Sequence, residues 1–326
     1  MSESGAERIA DAVRGGDVRT AARLMRDLDD RRPGAQQSLR LLWRHTGQAF
    51  VLGITGNPGA GKSTVVDGLI ALYRRAGLRV GVVSIDPTSP FSGGAILGDR
   101  IRMQRHATDD GVFIRSLATR GHLGGLSRST AEVVAVLDAM GFAVIIIETV
   151  GVGQAEVDVV AQADITVVVT VPGMGDEVQA IKAGLLEVAD LVVVNKGDKP
   201  GALRTAAQLR AMLVPTVARG EAPADRPAPK RPEVLVTTAT TGEGVPELLA
   251  ALDRHRDAAR DGLTKEARRA RARAQIQGVL ADRLADRMRE PALAPLAESI
   301  VAEVAEHRLD PYAAADRLLE AMAKAT

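Results

Sequence analysis

Residues 50–64 read Phe50-Val51-Leu52-Gly53-Ile54-Thr55-Gly56-Asn57-Pro58-Gly59-Ala60-Gly61-Lys62-Ser63-Thr64. The first six residues predict a buried strand, and the glycine-rich turn after them matches the pattern G-x-x-x-x-G-K-[ST]. In that pattern the glycines let backbone N–H groups surround a phosphate, and the helix that begins at the turn adds the positive end of its dipole. We expect Lys62 to contact the β- and γ-phosphates and the Ser63 hydroxyl to ligate Mg²⁺. The stretch therefore predicts a phosphate-binding loop between a strand and a helix.

Seven short runs of apolar and β-branched residues are spread along the chain, separated by helix-length segments. They occupy residues 50–55, 79–85, 111–117, 143–148, 165–171, 191–195 and 233–238. Runs that are apolar on both faces are typical of parallel strands covered by helices on both sides. The sequence therefore predicts an α/β fold over residues 50–260, in which a doubly wound, mostly parallel sheet carries the phosphate-binding loop.

Residues 1–49 show a helical pattern. Apolar residues recur at i, i+3 and i+4, and the pattern is interrupted at Gly15-Gly16 and at Pro33-Gly34. We predict two or three helices that form an N-terminal extension. Their apolar positions are Ile9, Val13, Ala21, Leu24, Met25, Leu28, Leu39, Leu42 and Trp43.

Residues 261–326 form long helical patterns rich in Ala, Arg and Leu, with a proline break near residues 291–295. One apolar stripe runs along the first of these patterns. We expect it to pack on the domain or on a second subunit, and we predict that the segment is a helical arm that makes the protein a homodimer. The stripe consists of Ile276, Leu280, Leu284 and Met288.

Composition excludes several classes of function. The 42 Lys and Arg against 41 Asp and Glu leave a net charge of +1, so the protein as a whole does not attract nucleic acid electrostatically. Aromatic residues make up 2% of the chain, so few side chains are available to stack on bases. The absence of Cys excludes a disulfide scaffold and a thiolate metal site, and the five His are scattered without ligand spacing. No stretch approaches the roughly 18 apolar residues that span a bilayer. We expect a cytoplasmic protein without membrane partners.

The tetrapeptide Asn195-Lys196-Gly197-Asp198 follows an apolar run and matches N-K-x-D, a pattern that recognises guanine. The Asp198 carboxylate can accept hydrogen bonds from N1–H and the 2-amino group, a donor pair that adenine lacks. Alone the tetrapeptide is an ordinary turn, but downstream of a phosphate-binding loop it becomes a specific signal. We expect the dipeptide Thr238-Ala239, at the end of the last predicted strand, to supply a backbone N–H to guanine O6.

Three acidic residues are candidates for a Mg²⁺ site together with Ser63. Glu148 ends the most apolar run, where GTPases with a phosphate-binding loop place an acidic residue that senses Mg²⁺ and the γ-phosphate. Asp86 closes the run 79–85, and Asp99 lies in a glycine-containing segment, so both are placed to contact Mg²⁺ or its waters. The structural alternative for each acid is a helix or turn cap.

Phosphoryl transfer also requires positive charge against the charge that develops on the phosphate oxygens. Arg100 and Arg102 lie next to Asp99, although solvated surface arginines are common in so Arg-rich a chain. Gln154 lies three residues beyond Gly151, whereas small GTPases place a water-orienting Gln directly after the glycine, so we expect slow hydrolysis that awaits a partner. The predicted catalytic residues are Lys62, Asp99, Arg100 and Glu148.

Together these motifs resemble the MeaB/ArgK family of G proteins, the GTPase chaperones associated with methylmalonyl-CoA mutase. The likeness lies in GNPGAGKST, SIDPTSPFSGGAILGDRIRM, RGHLGGLS, ETVGVGQAEVDV, VPGMGDEVQAIKAG and NKGD. The resemblance covers residues 45–260 in motifs and the whole chain in layout. It implies a dimeric, Mg²⁺-dependent GTPase that binds the adenosylcobalamin-dependent mutase, gates loading of intact cofactor and helps to eject damaged cobalamin.

The resemblance also assigns roles to residues at matching positions. It implies phosphate contacts from residues 56–64 and a mobile relay towards the mutase at residues 172–182. The Pro-rich segment 220–232, which predicts an exposed loop, is not a family feature. Mg²⁺ is assigned to Ser63 with Asp86, Asp99 and Glu148 nearby, and guanine to Asn195, Lys196 and Asp198.

Other functional classes share part of this pattern. Nickel-inserting GTPases have a similar fold, but they need soft or imidazole ligands, which this chain does not group together. A GTP- or ATP-dependent kinase of a transport system would need an acceptor site and usually adenine recognition. A pure binding module would hold nucleotide without hydrolysing it. We expect a GTPase that acts as a metallocofactor chaperone.

Overall fold

The computed structural model describes residues 3–86, 104–106, 108–118, 125–149, 162–173, 186, 189–213, 232–260 and 264–324. The chain forms two compact units, Met1–Arg271 and Ala272–Thr326. The predicted division at residue 260 stays a prediction, as does the homodimer. Asp99, Arg100, Arg102, Gly151 and Gln154 lie outside the described residues, as do most of segments 172–182 and 220–232.

All seven predicted strands are present, and they form one sheet in which every described pair is parallel. The strand order is β3-β2-β4-β1-β5-β6-β7. The prediction of an α/β fold is therefore confirmed, with an entirely parallel sheet in place of a mostly parallel one. The strands are β1 Phe50–Gly56, β2 Val80–Asp86, β3 Val112–Ala118, β4 Val144–Thr149, β5 Ile165–Thr170, β6 Leu191–Val194 and β7 Glu233–Val236.

Helices cover both faces of this sheet. On one face, residues of β1 such as Leu52 pack with α4 and α7, whereas Val51 points to the opposite face and packs with α5. Further along that opposite face, α6 covers β5 and β6. Strands β1, β2, β4, β5 and β6 are buried along their whole length, so both of their faces are covered and their sequences are largely apolar, as the runs predicted. The edge strands β3 and β7 are partly exposed. These helices are α4 Lys62–Arg75, α5 Gly125–Ala139, α6 Ala202–Met212 and α7 Val245–Arg260.

The N-terminal segment forms three helices, α1 Glu3–Arg14, α2 Val18–Asp29 and α3 Ala35–Trp43. Their apolar faces share one core with α5, and most of the predicted apolar positions are buried. Trp43, the last residue of α3, differs because its side chain is 54% exposed. The Asp138 carboxylate of α5 accepts hydrogen bonds from the backbone N–H groups of residues 47–49, which ties this segment to the start of β1.

The C-terminal segment contains α8 Thr264–Met288, α9 Ala294–Ala305 and α10 Pro311–Lys324. The break before α10 is explained by Asp310, whose carboxylate accepts hydrogen bonds from the backbone N–H groups of Tyr312 and Ala313. Along the predicted stripe on α8, the exposed fractions are 60% for Ile276, 54% for Leu280 and 43% for Leu284. Among the helices of the described residues, none combines the length and apolar character that crossing a membrane requires.

Candidate nucleotide-binding site

The phosphate-binding loop joins the end of β1 to the start of α4, as predicted. Gly56 has a φ of 132°, and a Cβ there would lie 2.0 Å from the carbonyl oxygen of Val169 in β5. Gly61 has a φ of 88°, and a Cβ there would lie 2.4 Å from Nδ2 of Asn195. Both positions require glycine, because the loop is pressed against β5 on one side and against the N-K-x-D turn on the other.

Lys62 is the first residue of α4, and its side chain is turned back over the loop. The Nζ atom donates hydrogen bonds to the carbonyl oxygens of Gly56 at 2.7 Å and Asn57 at 3.0 Å. The residue is only 6% exposed. The ammonium charge is therefore held inside the concave side of the loop, where a phosphate group would meet it.

Ser63 and Glu148 are brought together from α4 and β4. The Ser63 hydroxyl donates to Oε1 of Glu148 at 2.6 Å, and the two residues are 7% and 2% exposed. In the sheet register, Glu148 is level with Ile54 of β1 and Ser84 of β2. Asp86, two residues further along β2, is also buried at this carboxyl edge.

These donors fit a Mg²⁺ ion. Mg²⁺ prefers oxygen ligands, and proteins usually hold it through one or two carboxylates together with waters and substrate phosphates. A hydroxyl and a carboxylate in contact beside a phosphate-binding loop meet that requirement, with Asp86 on the neighbouring strand. In the described ranges, no group of three or more His, Cys, Asp or Glu residues is placed to hold a metal ion.

Asn195 connects the three segments of the site. Its Nδ2 donates to the carbonyl oxygen of Ala60 at 2.9 Å, and its Oδ1 accepts from the Thr237 hydroxyl and the Ala239 N–H, each at 3.1 Å. The Asn195 side chain therefore joins the phosphate-binding loop, the end of β6 and the segment after β7. Thr237 was not predicted from the sequence, because a single Thr at the end of a strand has no distinguishing pattern.

The other residues of the N-K-x-D turn contact the phosphate-binding loop and the segment after β7, except for Asp198. Lys196 adopts a φ of 60°, and its Nζ donates to the carbonyl oxygen of Gly59 at 2.8 Å. The N–H of Gly197 donates to the carbonyl oxygen of Thr237, and Asp198 is exposed. A long Lys side chain over the loop and an accessible carboxylate beside it form an open rim, which suits recognition of a planar base.

The two backbone donors predicted for guanine O6 have other partners here. The Thr238 N–H donates to the carbonyl oxygen of Glu243, and the Ala239 N–H donates to Asn195. The contact to O6 stays a prediction, and it requires the N–H of Thr238 or of Ala239 to be shared or released. The roles predicted for Asp99, Arg100 and Gln154 concern residues outside the described part of the chain.

Comparison with known proteins agrees with this geometry. The family described as methylmalonyl Co-A mutase-associated GTPase MeaB matches residues 21–292. A Pyrococcus abyssi protein that carries the name of a GTPase is 47% identical over 96% of each chain, and GTPase ArgK of Escherichia coli is 43% identical over 57% of each chain. The crystal structure of LAO/AO transport system kinase has a TM-score of 0.68 at 26% identity over 98% of each chain. The chain therefore belongs to the MeaB family and is a GTPase with a phosphate-binding loop.

Proposed function

We propose that this GTPase is a chaperone of an adenosylcobalamin-dependent mutase of the methylmalonyl-CoA mutase type, and that it gates loading and protection of the mutase's cofactor. Membership of a family described as mutase-associated supports the choice of client. The observation that carries the nucleotide chemistry is the convergence of Lys62, Ser63, Glu148 and Asn195 at one edge of the sheet.

In this proposal the backbone N–H groups of residues 56–64 and the Lys62 ammonium bind the β- and γ-phosphates. Ser63 and Glu148 would hold Mg²⁺, with Asp86 and Asp99 as the further acidic residues of the site. When bound there, Mg²⁺ would supply positive charge against the charge that develops on the phosphate oxygens during hydrolysis. Asp198 accepts from N1–H and the 2-amino group of guanine, and Arg100 adds positive charge at the γ-phosphate.

We also propose that hydrolysis is slow until the mutase docks. Gln154 is displaced by three residues from the usual water-orienting position after the glycine, so the chain is expected to align water poorly by itself. A partner that completes such a site accelerates hydrolysis by about 10³-fold or more. Docking and hydrolysis would then be coupled, as a gating role requires.

The experiment is single-turnover GTP hydrolysis with and without methylmalonyl-CoA mutase, together with calorimetric binding of the mutase in the presence of GDP or a non-hydrolysable GTP analogue. We expect nucleotide-dependent binding and faster hydrolysis in the complex. Lys62→Ala is the control that should abolish hydrolysis in both conditions. An unchanged rate in a demonstrably formed complex would contradict partner activation, and transfer of the γ-phosphate to a protein or small molecule would favour a kinase.

We infer in addition that α8 forms a homodimer interface. Its exposed apolar side chains at 276, 280 and 284 recur on one side of the helix, at a spacing of one turn. Large apolar side chains in such a row are typical of interaction surfaces. The second copy of this chain is the partner that we propose for them.

A further inference from the structure

A cavity of about 480 Å³ lies between α1, α2 and the turn that leads into α3. The residues that line it on α1 recur at i, i+3, i+4 and i+7 from Gly5 to Ala12, and those on α2 recur at the same spacing from Thr20 to Asp27. Side chains at this spacing share one face of a helix, so each helix contributes one continuous stripe to the cavity wall. Sites that bind small molecules have volumes of about 300–1,000 Å³. The cavity is therefore large enough for a small ligand.

The buried part of the cavity is apolar. Leu24 is 3% exposed and belongs to the core that the N-terminal helices share with α5, and Ile9 packs against the same core. Ala12 and Pro33 add further apolar surface to the wall. Removing hydrocarbon from water is favourable in proportion to the apolar area that is covered. This wall therefore favours a ligand with an aliphatic portion.

The charge of the lining is mostly positive. Arg8 of α1, Arg23 of α2 and Arg32 of the turn line the cavity, together with one acidic residue, Asp27. Asp27 forms ion pairs with Arg32 at 3.5 Å and with Arg26 at 3.6 Å, so its charge is already balanced. Arg8 and Arg23 come from the two helical walls, and both are exposed. The cavity thus presents two cationic side chains that its one acidic residue does not neutralise.

The guanidinium groups of Arg8 and Arg23 have N–H donors available for a ligand. Arg8 uses Nε for a hydrogen bond to the carbonyl oxygen of Ser4 at 3.2 Å. Within the described ranges, neither side chain takes part in an ion pair, and the Arg23 side chain forms no hydrogen bond. A guanidinium presents its N–H groups in a fixed plane that matches the oxygens of a carboxylate or a phosphate. The two arginines therefore favour an anionic group.

We propose that this cavity binds an anionic amphiphile, with its aliphatic chain against Ile9 and Leu24 and its carboxylate or phosphate group hydrogen-bonded to Arg8 and Arg23. A purely apolar ligand would leave the two arginines without a partner, and a bare anion would leave the apolar wall in contact with water. The site is distinct from the nucleotide site, because none of the described residues that line it belongs to the phosphate-binding loop or to the N-K-x-D turn.

The first test is calorimetric titration of the full-length, nucleotide-free protein with decanoate and with decyl phosphate, both kept below the concentrations at which they form micelles. We expect saturable binding of one molecule per chain, and the tighter of the two probes identifies the preferred anionic group. Each methylene removed from the chain should weaken binding by up to about fourfold, because that hydrocarbon no longer leaves water. Decanol, which lacks the charge, and acetate, which lacks the chain, should each bind at least about tenfold more weakly than decanoate.

The second test changes the arginines. Arg8→Gln and Arg23→Gln should each weaken decanoate binding by about tenfold, because a hydrogen bond between charged groups is lost, and neither should weaken decanol binding. Arg40→Gln is the matched control, since Arg40 is an exposed arginine of α3 that does not line the cavity. Saturating decanoate should raise the melting temperature of the parent and of Arg40→Gln, and should raise that of Arg23→Gln less at the same concentration.

Three outcomes would overturn the proposal. Failure of both probes to bind the parent would leave the cavity to a protein partner. Equal affinity for decanol and decanoate would remove the anionic group from the assignment. Unchanged decanoate affinity in folded Arg8→Gln and Arg23→Gln proteins, judged by melting temperatures equal to that of the parent without ligand, would place the binding of amphiphiles elsewhere on the chain.

Discussion

Asn195 shows how one buried side chain can join three loops that are far apart in the sequence. Its amide uses both ends, with Nδ2 on Ala60 and Oδ1 on Thr237 and Ala239. An amide oxygen that accepts two hydrogen bonds loses both of them if the amide group rotates. The orientation of the Asn195 side chain is therefore fixed before the nucleotide binds. The phosphate-binding loop and the base-recognition turn are therefore a single preorganised unit.

We predict that Thr237→Val weakens GDP and GTP binding while preserving the fold. The hydroxyl of Thr237 is buried, and its loss removes one of the two donors that hold Oδ1 of Asn195. A buried polar group left without a partner costs about 1–3 kcal/mol, so affinity should fall by roughly tenfold. Calorimetric titration measures the change. Thr240→Val, at an exposed position three residues away, should bind normally, and equal affinity in all three proteins would show that Asn195 does not depend on Thr237.

We predict that Asp198→Asn shifts base preference from guanine to xanthine. An Asn amide places an N–H donor against the 2-amino donor of guanine, whereas xanthine has a carbonyl oxygen there that accepts this donor. The unpaired groups should lower relative GTP affinity by at least about tenfold. Competition between GTP, XTP and ATP in both proteins measures the shift. An Asp198→Asn protein that still prefers GTP would place base recognition elsewhere.

At the residue scale the motif residues were predictable, because Lys62, Ser63 and Asp198 belong to spacings that chemistry constrains tightly. The contacts that support these motif residues from elsewhere in the chain were not predictable. The Asp138 carboxylate accepts hydrogen bonds from the backbone N–H groups of residues 47–49, which lie about 90 positions away in the sequence. The Asp67 carboxylate contacts Arg105 and His106, which lie nearly 40 positions away. Such contacts depend on the fold bringing two elements together, and neither partner shows this in its local sequence.

At the scale of elements, helix α4 contributes residues both to the nucleotide site and to the hydrophobic core. Its first turn carries Lys62 and Ser63, and further along, Tyr73 is 1% exposed within the cluster that α4 shares with α7. Within the described part of the chain the Tyr73 hydroxyl has no hydrogen-bond partner. Burial, with a smaller contribution from Asp253, raises the pKa of the Tyr73 phenol well above its usual value of 10.0.

We predict that Tyr73→Phe stabilises the protein. Removal of a buried hydroxyl that lacks a partner should raise the free energy of unfolding by about 1 kcal/mol at neutral pH. Denaturant titration measures this, and Tyr312→Phe is the matched control because Tyr312 is 85% exposed. A loss of stability in Tyr73→Phe would mean that the hydroxyl contributes a favourable interaction.

The same variant should change the pH dependence of stability. Below pH 10 the phenol is protonated in both states, so it contributes no slope. Above pH 10 the unfolded chain releases the proton while the folded chain retains it, because the folded pKa is raised. Stability of the parent therefore falls as pH rises above 10. The advantage of Tyr73→Phe should widen between pH 9 and pH 11, and Tyr312→Phe should follow the parent.

Elements differed in how well sequence could anticipate them. Strands β1, β2, β4, β5 and β6 were predictable because burial on both faces leaves a nearly continuous apolar run. The N-terminal helices were predictable because Gly15-Gly16 and Pro33-Gly34 mark their ends. The break at Asp310-Pro311 that separates α9 from α10 was missed, although Pro at the first helical position after a capping Asp is a recognisable start signal. Trp43 was predicted as an apolar core position because it follows the helical spacing of Leu39 and Leu42. It is exposed, because α3 ends at this residue and the spacing does not show where the helix ends.

At the scale of the whole molecule, the strand order explains why the motifs meet. β1 lies between β4 and β5, with β2 beyond β4 and β6 beyond β5. All strands are parallel, so the loop after β1, Glu148 at the end of β4 and Asn195 after β6 lie along one carboxyl edge. Sequence predicted parallel strands but not their order, because the order depends on which crossover each helix makes. Ligands bind at this edge in open parallel sheets, where the strand order reverses direction.

We expect the whole molecule to self-associate through α8. If α8 pairs with its copy through residues 276, 280 and 284, then Leu280→Lys combined with Leu284→Lys should convert a dimer into a folded monomer that still binds GTP. Each buried leucine contributes about 1.5–3 kcal/mol, so the two changes together should raise the dimer dissociation constant by at least about a hundredfold. Val301→Lys is the control, since Val301 is 53% exposed on α9 and lies off the stripe. Light scattering at micromolar concentration measures the mass. A monomeric parent, or a double variant that stays dimeric, would show that these side chains do not form the interface.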